Sequence, residues 1–225
     1  MADAALADAT LDELRLTLAP AIARAAMFDG WNDAALVTAA QGAGVDPAVA
    51  RLAFKQGPTD MIAAWIASVD ARMEAHFADG RLANMKIRDR IAALVWFRLE
   101  AIAGLEESLR RAQAIQAMPQ NLATTLKQGW SSADRMWRLA GDTATDYNHY
   151  SKRAILGTIY AATLAVWVAD ESEDKAETRA FLDRRIEGVM KFEKAKARLL
   201  GGPGGSGREH FDFARFLGRL RYPQH

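Results

Sequence analysis

Cysteine is absent from the 225 residues, which excludes disulfides, thiolate nucleophiles and Cys-ligated metals, and nothing in the chain demands an oxidising compartment. Histidine is nearly as scarce. His76, His149, His210 and His225 are scattered, and neither ExxH nor HExxH occurs, so a zinc or di-iron site has no sequence support. Glycine-rich phosphate loops are also missing, because GGPGGSG at 201–207 lacks the Lys-Ser/Thr step and follows a helical pattern. Asp146, His149 and Ser151 fall at i, i+3 and i+5 of one helix, a spacing that does not bring nucleophile, base and orienter together. The chain is therefore expected to be no enzyme, with no catalytic residue, metal or cofactor. No uncharged run exceeds the sixteen residues of Ala154–Ala169, short of the roughly 20 needed to cross a bilayer; a helix apolar on nearly all sides is most simply the central buried helix of a bundle. Period-2 runs bounded by turn residues are absent as well, so the fold class is all-α.

What is present is a series of helix caps and breakers. Thr10 with Glu13 three residues on is a capping box for a helix to about Phe28. Asn32 caps a second helix that Gly42 and Gly44 end, and Asp46-Pro47 opens a short third. Thr59 caps a fourth that lasts to about Gly80. From Lys86 to Ala117 the positions Ile87, Ile91, Leu94, Val95, Ile102, Leu105 and Leu109 keep to one stripe, which predicts a single long helix closed by Pro119. Three more follow over 121–139, 146–170 and 174–200. Half the residues are apolar and the net charge is +1, as in an ordinary globular protein with a sizeable core. The opening MADAALADATLDEL carries acids and no basic stretch, unlike a secretory signal or an Arg-rich transit peptide, and points to the bacterial cytoplasm or to a mature chain.

Charge is unevenly placed. Residues 1–60 hold eight acidic and four basic side chains, a net of −4, whereas residues 191–225 hold eight basic and three acidic, a net of +5. The second of these ends in an amphipathic pattern. Phe213, Phe216, Leu217 and Leu220 fall at i, i+3, i+4 and i+7, with Arg208, Arg215, Arg219 and Arg221 around them. Behind the 201–207 linker such a helix can pack back on the body or lie on a membrane. Its charge favours an anionic leaflet, where each cation contributes about 1 kcal/mol.

The first sixty residues place two helices around Gly44-Val45-Asp46 in the layout of a helix-turn-helix, similar to the amino-terminal module of TetR repressors. Their charge opposes DNA binding. The second helix offers only Arg51 and Lys55, far from the six to ten phosphate contacts usual for such modules, so a TetR-type ligand-responsive transcription regulator is the alternative reading and no nucleic-acid partner is expected. Four segments result: a degenerate module at 1–60, a helical body at 61–200, the linker at 201–207 and the amphipathic helix at 208–225.

A specific resemblance lies further on. AGDTATDYNHYSKRAILGTIY (140–160) followed by TRAFLDRRIEGVM (178–190), with AFKQGPTDMI (53–62), KIRDRI (86–91) and AMPQN (117–121) upstream in order, is similar to the ninth coenzyme Q biosynthesis protein family. That resemblance implies a TetR-like helical bundle that has lost DNA binding and holds lipid. It further implies a peripheral protein of the inner face of the bacterial inner membrane, a homodimer, that binds isoprenoid quinone precursors and presents them to the di-iron quinone hydroxylase. The family's docking patch maps onto Asp142, Asp146, Asn148, His149, Tyr150 and Arg153, and membrane contact onto Phe213, Phe216, Leu217, Leu220, Arg215 and Arg219. His149 stands where relatives commonly carry Trp and offers less apolar contact there. The residues suggest a second role for Asp142 and Asp146, which suit the capping of a helix start. For a lipid pocket, the large side chains of the long helices, Trp96, Phe97, Met136, Trp137, Tyr160, Trp167, Phe181 and Met190, are the candidates, although the same stripe would serve as plain core.

Overall fold

Helices begin where their caps dictate. In α1 (Leu11–Asp29) the Thr10 hydroxyl accepts from the Glu13 N–H while the Glu13 carboxylate accepts from the Thr10 N–H, which satisfies two donors that the first turn leaves free. Asn32 accepts from the N–H groups of Ala34 and Ala35 to open α2 (Asp33–Gly42), and Asp46 accepts from Ala48 to open α3 (Pro47–Ala53). The other helices are α4 (Pro58–His76), α5 (Ile87–Glu100), α6 (Glu106–Gln116), α7 (Leu122–Leu139), α8 (Tyr147–Ala169) and α9 (Ala176–Leu200). This computed structural model describes residues 9–143 and 147–200, without the side chains of 147, 148 and 192–200. Among the described residues there is no strand, as the sequence requires of an all-α fold.

Two expected boundaries are corrected. Thr59 does not cap α4: Gly57 at φ +62° precedes Pro58 in the first helical position, and the Thr59 hydroxyl donates instead to the Gln56 carbonyl at 3.2 Å. The helix ends at His76, four residues before Gly80. The single helix expected over 86–117 is two, α5 and α6, parted by a turn in which Gly104 takes φ +76°. A left-handed residue ends a helix. Ile102 is nevertheless buried beside Leu99 and Leu109, so the apolar stripe runs unbroken across a chain that bends.

The amino-terminal helices do not stand apart from the body. Chain division into compact units falls between Ile186 and Glu187, so everything described up to Ile186 is one unit. Leu18, Ile22 and Ala26 of α1 share a core with Met61, Ile62, Trp65 and Val69 of α4 and with Leu94, Val95 and Leu99 of α5. Buried polar links add to it. The Trp31 indole donates to the Ser108 carbonyl at 2.9 Å and the Ser108 hydroxyl donates to the Ala23 carbonyl at 2.6 Å, while Trp31 and Trp65 meet at 5.3 Å between ring centroids. In the second unit, beginning at Glu187, α9 continues to Leu200 and carries a Glu187–Lys191 ion pair at 2.8 Å.

α8 is not the buried central helix that its composition suggests. The stretch His149–Ala169 is long and apolar enough to cross a membrane by length and composition, yet little of it is buried. Leu156, Thr163 and Trp167 point inward, while Ala154, Ile155, Thr158, Ala161 and Ala165 are exposed. The reason lies in side-chain size: alanine, glycine and threonine make a helix apolar in sum while leaving little surface that must be hidden.

Candidate functional site

Five helices line a half-open apolar cavity of about 310 Å³, at the small end of the range for ligand sites, roughly 300 to 1,000 Å³. α4 contributes Ile62, Trp65, Ile66 and Val69, an i, i+3, i+4, i+7 face. Ile102, Leu109 and Ala112 continue this apolar wall, which Tyr160 and Leu164 of α8 complete. Along α7 the wall is polar: Thr125, Gln128 and Ser132 recur about one turn apart. Gln116 donates to Gln128 at 3.0 Å and the Thr125 hydroxyl donates to the Gln116 carbonyl at 3.0 Å, so these groups are mutually satisfied.

Two glycines border this space. Gly129 of α7 and Gly157 of α8 both line the cavity, and a Cβ added at either would meet no atom within 4 Å. Glycine inside a helix costs about 0.5–1 kcal/mol relative to alanine. Gly129 is exposed and Gly157 part-buried, and no neighbour inside the protein requires glycine at either position.

At the cavity wall lies a buried charge network. Arg98, 2% exposed, donates through Nη1 to Asp70 and through Nη2 to the Ser132 hydroxyl at 3.2 Å, with its guanidinium carbon 4.9 Å from the Tyr160 ring centroid. Asp70 also faces Arg135, which pairs with Glu74 at 2.6 Å. Two cations thus balance two anions.

Of the expected pocket residues in the first unit, Tyr160 alone lines the cavity. Met136 is wholly buried core. Trp137 pins α7 to α8, its indole donating to the Lys152 carbonyl at 3.0 Å. Trp96 and Trp167 pack edge to face at 5.8 Å, and Arg179 stacks on Trp96 at 3.8 Å. Phe97 joins His76 and Phe77 in an aromatic cluster, Phe181 lies under Arg185, and Met190 falls in the second unit. These side chains are large because they clamp helices together. The void is fronted instead by the aliphatic face of α4 with Trp65, by Tyr160 and Leu164, and by the small or polar residues of α7.

The AGD segment separates into struts and a surface. Arg153 and Asp142, expected on an exposed patch, are buried: the Arg153 side chain is 2% exposed and that of Asp142 5%. Arg153 donates to Asp134 at 2.6 Å and to Asp142 at 2.9 Å, and Lys152 donates to Asp142 at 2.6 Å. Burial alone would raise the carboxyl pKa values, but the hydrogen bonds and charge of Arg153, with Lys152 at Asp142 and Arg138 at Asp134, outweigh it and hold both below the usual range. Gly141 at φ +89° lets the chain turn into this network, where Arg90 donates to the Ala140 carbonyl at 2.8 Å. The side chains of Asp142 and Arg153 are thus engaged in holding the turn.

Tyr150 by contrast is 61% exposed, and it meets Trp130 at 5.9 Å and His149 at 5.2 Å between centroids. Trp130 continues down α7 to Leu126 and Leu122 at four-residue spacing, each at least a third exposed, which makes an apolar stripe. The sequence reading missed these three, although their i, i+4, i+8 spacing was there to see. Asp146 and the side chain of Asn148 lie outside the described residues, as do the linker and Phe213, Arg215, Phe216, Leu217, Arg219 and Leu220. Among the described residues no cluster of His, Asp or Glu could hold a metal.

Comparison with known proteins is consistent with this architecture. A crystal structure of a TetR transcriptional regulator from Nitrosomonas europaea ATCC 19718 superposes with a TM-score of 0.62 over 77% of this chain and 96% of that one, at 22% identity. Residues 122–193 match the COQ9 family model. Ubiquinone biosynthesis protein COQ9, mitochondrial, is 31% identical in Rattus norvegicus over 172 residues, and 30% identical in Homo sapiens. Each alignment takes in 72% of this chain, and 54% and 52% of the relative; the chain spans about half the length of these relatives. The Drosophila melanogaster protein of the same name matches at 25% identity over 82% of this chain and 58% of its own. With the AGD turn, the α7–α8 pair and the TetR-like helical order all in place, the chain is similar to the COQ9 family, by its model over residues 122–193 and by the mitochondrial COQ9 proteins over 72% of its length.

Proposed function

We propose that this chain is a non-catalytic lipid-binding accessory protein of ubiquinone biosynthesis. It holds isoprenoid quinone precursors in the α4–α8 cavity and presents them to the di-iron quinone hydroxylase. The observation that carries this is the apolar cavity that Gly129 and Gly157 border, because an alkyl or prenyl chain gains about 0.8 kcal/mol per CH2 withdrawn from water. The names of the relatives, ubiquinone biosynthesis proteins, supply the pathway. The hydroxylase docks on Tyr150, His149, Trp130, Leu126 and Leu122, aromatic and apolar side chains of the kind that carry interfaces. The helix at 208–225 seats the protein on the inner face of the bacterial inner membrane, and a homodimer forms through the exposed small-residue face of α8.

The regulator alternative finds no support in the helix-turn-helix-like unit. Arg51, the cation of its second helix α3, is held by Asp33 through two hydrogen bonds of 2.7 Å, and Lys55 lies beyond the end of that helix. Repulsion from the acidic module then dominates. The test is organic extraction of freshly purified full-length protein followed by mass spectrometry, with Gly157→Leu beside the wild type. A prenylated quinone in the wild type and a depleted one in Gly157→Leu is the expected result; protein that folds and docks the hydroxylase but carries no isoprenoid would overturn it.

A further inference from the structure

We infer that the groove between α1 and α3 is a docking site for residues 208–225 of a second copy of the chain. In a module built for DNA, the exposed side of the second helix carries cations for phosphates. Here α3 shows Val49 and, one turn on, Leu52, 38% and 55% exposed, while Leu11 of α1, 44% exposed, stands at the same groove as Leu52. The groove has a volume of about 420 Å³, and Asp12, Arg15, Lys55 and Asp60 also line it. Arg15 is held by Asp60 at 2.9 Å and Arg51, on the helix of Leu52, by Asp33 at 2.7 Å. Two of the module's four cations are thus engaged with its own carboxylates, and residues 1–60 as a whole keep the net charge of −4. A segment that fits here is apolar on one face and cationic around it.

The far end of the sequence has that chemistry. Phe213, Phe216, Leu217 and Leu220 fall on one helical face with arginines around them, and residues 191–225 carry a net +5. Opposite charges in the first and last parts of one chain make the contact heterologous, the acidic module of one copy taking the basic segment of the next, so it grows with concentration and does not close as a two-fold dimer does. Charge steers the encounter and selects the partner, while burial of the leucines holds it. One apolar face cannot lie in the groove and in a bilayer at once. Docking on a second copy therefore withdraws residues 208–225 from the membrane, and an anionic leaflet competes for the same face. The groove shares no lining residue with the α4–α8 cavity, so this inference and the lipid reading fail separately.

The test titrates full-length protein into a fluorescein-labelled peptide of residues 208–225 and follows its anisotropy. Wild type is expected to bind the peptide, more weakly as salt rises. Leu52→Ser, at an exposed position, should weaken binding about tenfold, the loss of one leucine contact. Lys55→Glu, which reverses an exposed charge at the groove, should tighten it about threefold. Without peptide, full-length protein at low salt should sediment with a mass that rises with concentration above its high-salt value, and Leu52→Ser should abolish the rise. No peptide binding by wild type, or binding that Leu52→Ser leaves unchanged, overturns the groove as the seat. Weaker or unchanged binding in Lys55→Glu overturns charge as the selector. A mass that never changes with concentration while the peptide binds overturns the second copy as the source of the segment.

Discussion

Arg153→Met is the sharpest probe of how the AGD turn is held. In the wild type one guanidinium serves two carboxylates, Asp134 at 2.6 Å and Asp142 at 2.9 Å, with all three side chains largely withdrawn from water. Removing one partner of a buried pair costs about 3–5 kcal/mol, because the remaining charge is left uncompensated. Here each carboxylate keeps a second, more exposed cation, Arg138 at 2.7 Å for Asp134 and Lys152 at 2.6 Å for Asp142. The loss should therefore lie at the lower end, about 3 kcal/mol, which corresponds to a fall in Tm of about 6–12 °C for a unit of this size. Calorimetry or urea unfolding of the variant gives the number directly. The triple variant Arg153→Met/Asp134→Asn/Asp142→Asn, which leaves no orphaned charge, should recover most of it. A single variant less than 1 kcal/mol below wild type would refute the view that this arginine is a buried strut, and would return it to the surface as a docking residue.

Acidification should act on the same network. Asp134 and Asp142 have depressed pKa values, so their contribution is present above the unfolded carboxylate pKa of about 4 and is lost as pH falls through the folded values; Tm should drop steeply below about pH 4, and less so in Asp134→Asn/Asp142→Asn. Gly141→Ala should destabilise by about 1–2 kcal/mol in urea unfolding, since φ +89° disfavours a side chain and the added Cβ would stand 3.1 Å from Arg90 Nη1. Leu126→Asp, at a position 73% exposed, should leave Tm within about 0.5 kcal/mol of stability equivalent yet weaken hydroxylase binding in a pull-down or calorimetric titration at least tenfold; unchanged binding would remove α7 from the docking surface.

Local chemistry carried much of the fold into the sequence. Thr10 with Glu13, Asn32 and Asp46-Pro47 each open a helix where the cap chemistry says, because a cap satisfies backbone donors within three residues and needs no distant partner. The all-α class and the family resemblance were legible for the same reason, as periodicities and motifs within a single stretch of chain. Even the break at Gly104 was written locally, with Glu106 and Glu107 opening the next helix, but the apolar stripe running through Ile102 and Leu105 concealed it.

Only the tertiary structure decided which of the apolar faces encloses a void and which of the charged side chains are buried. Ile62, Trp65, Ile66 and Val69 have the same spacing whether they meet a neighbour or a cavity. Arg98 acquires its isolation from Asp70, 28 residues earlier, and from Ser132, 34 residues later; Arg153 is turned from surface to strut by Asp134 on another helix. Burial and electrostatic environment are sums over neighbours brought together by folding, and a linear pattern records only the neighbours along the chain.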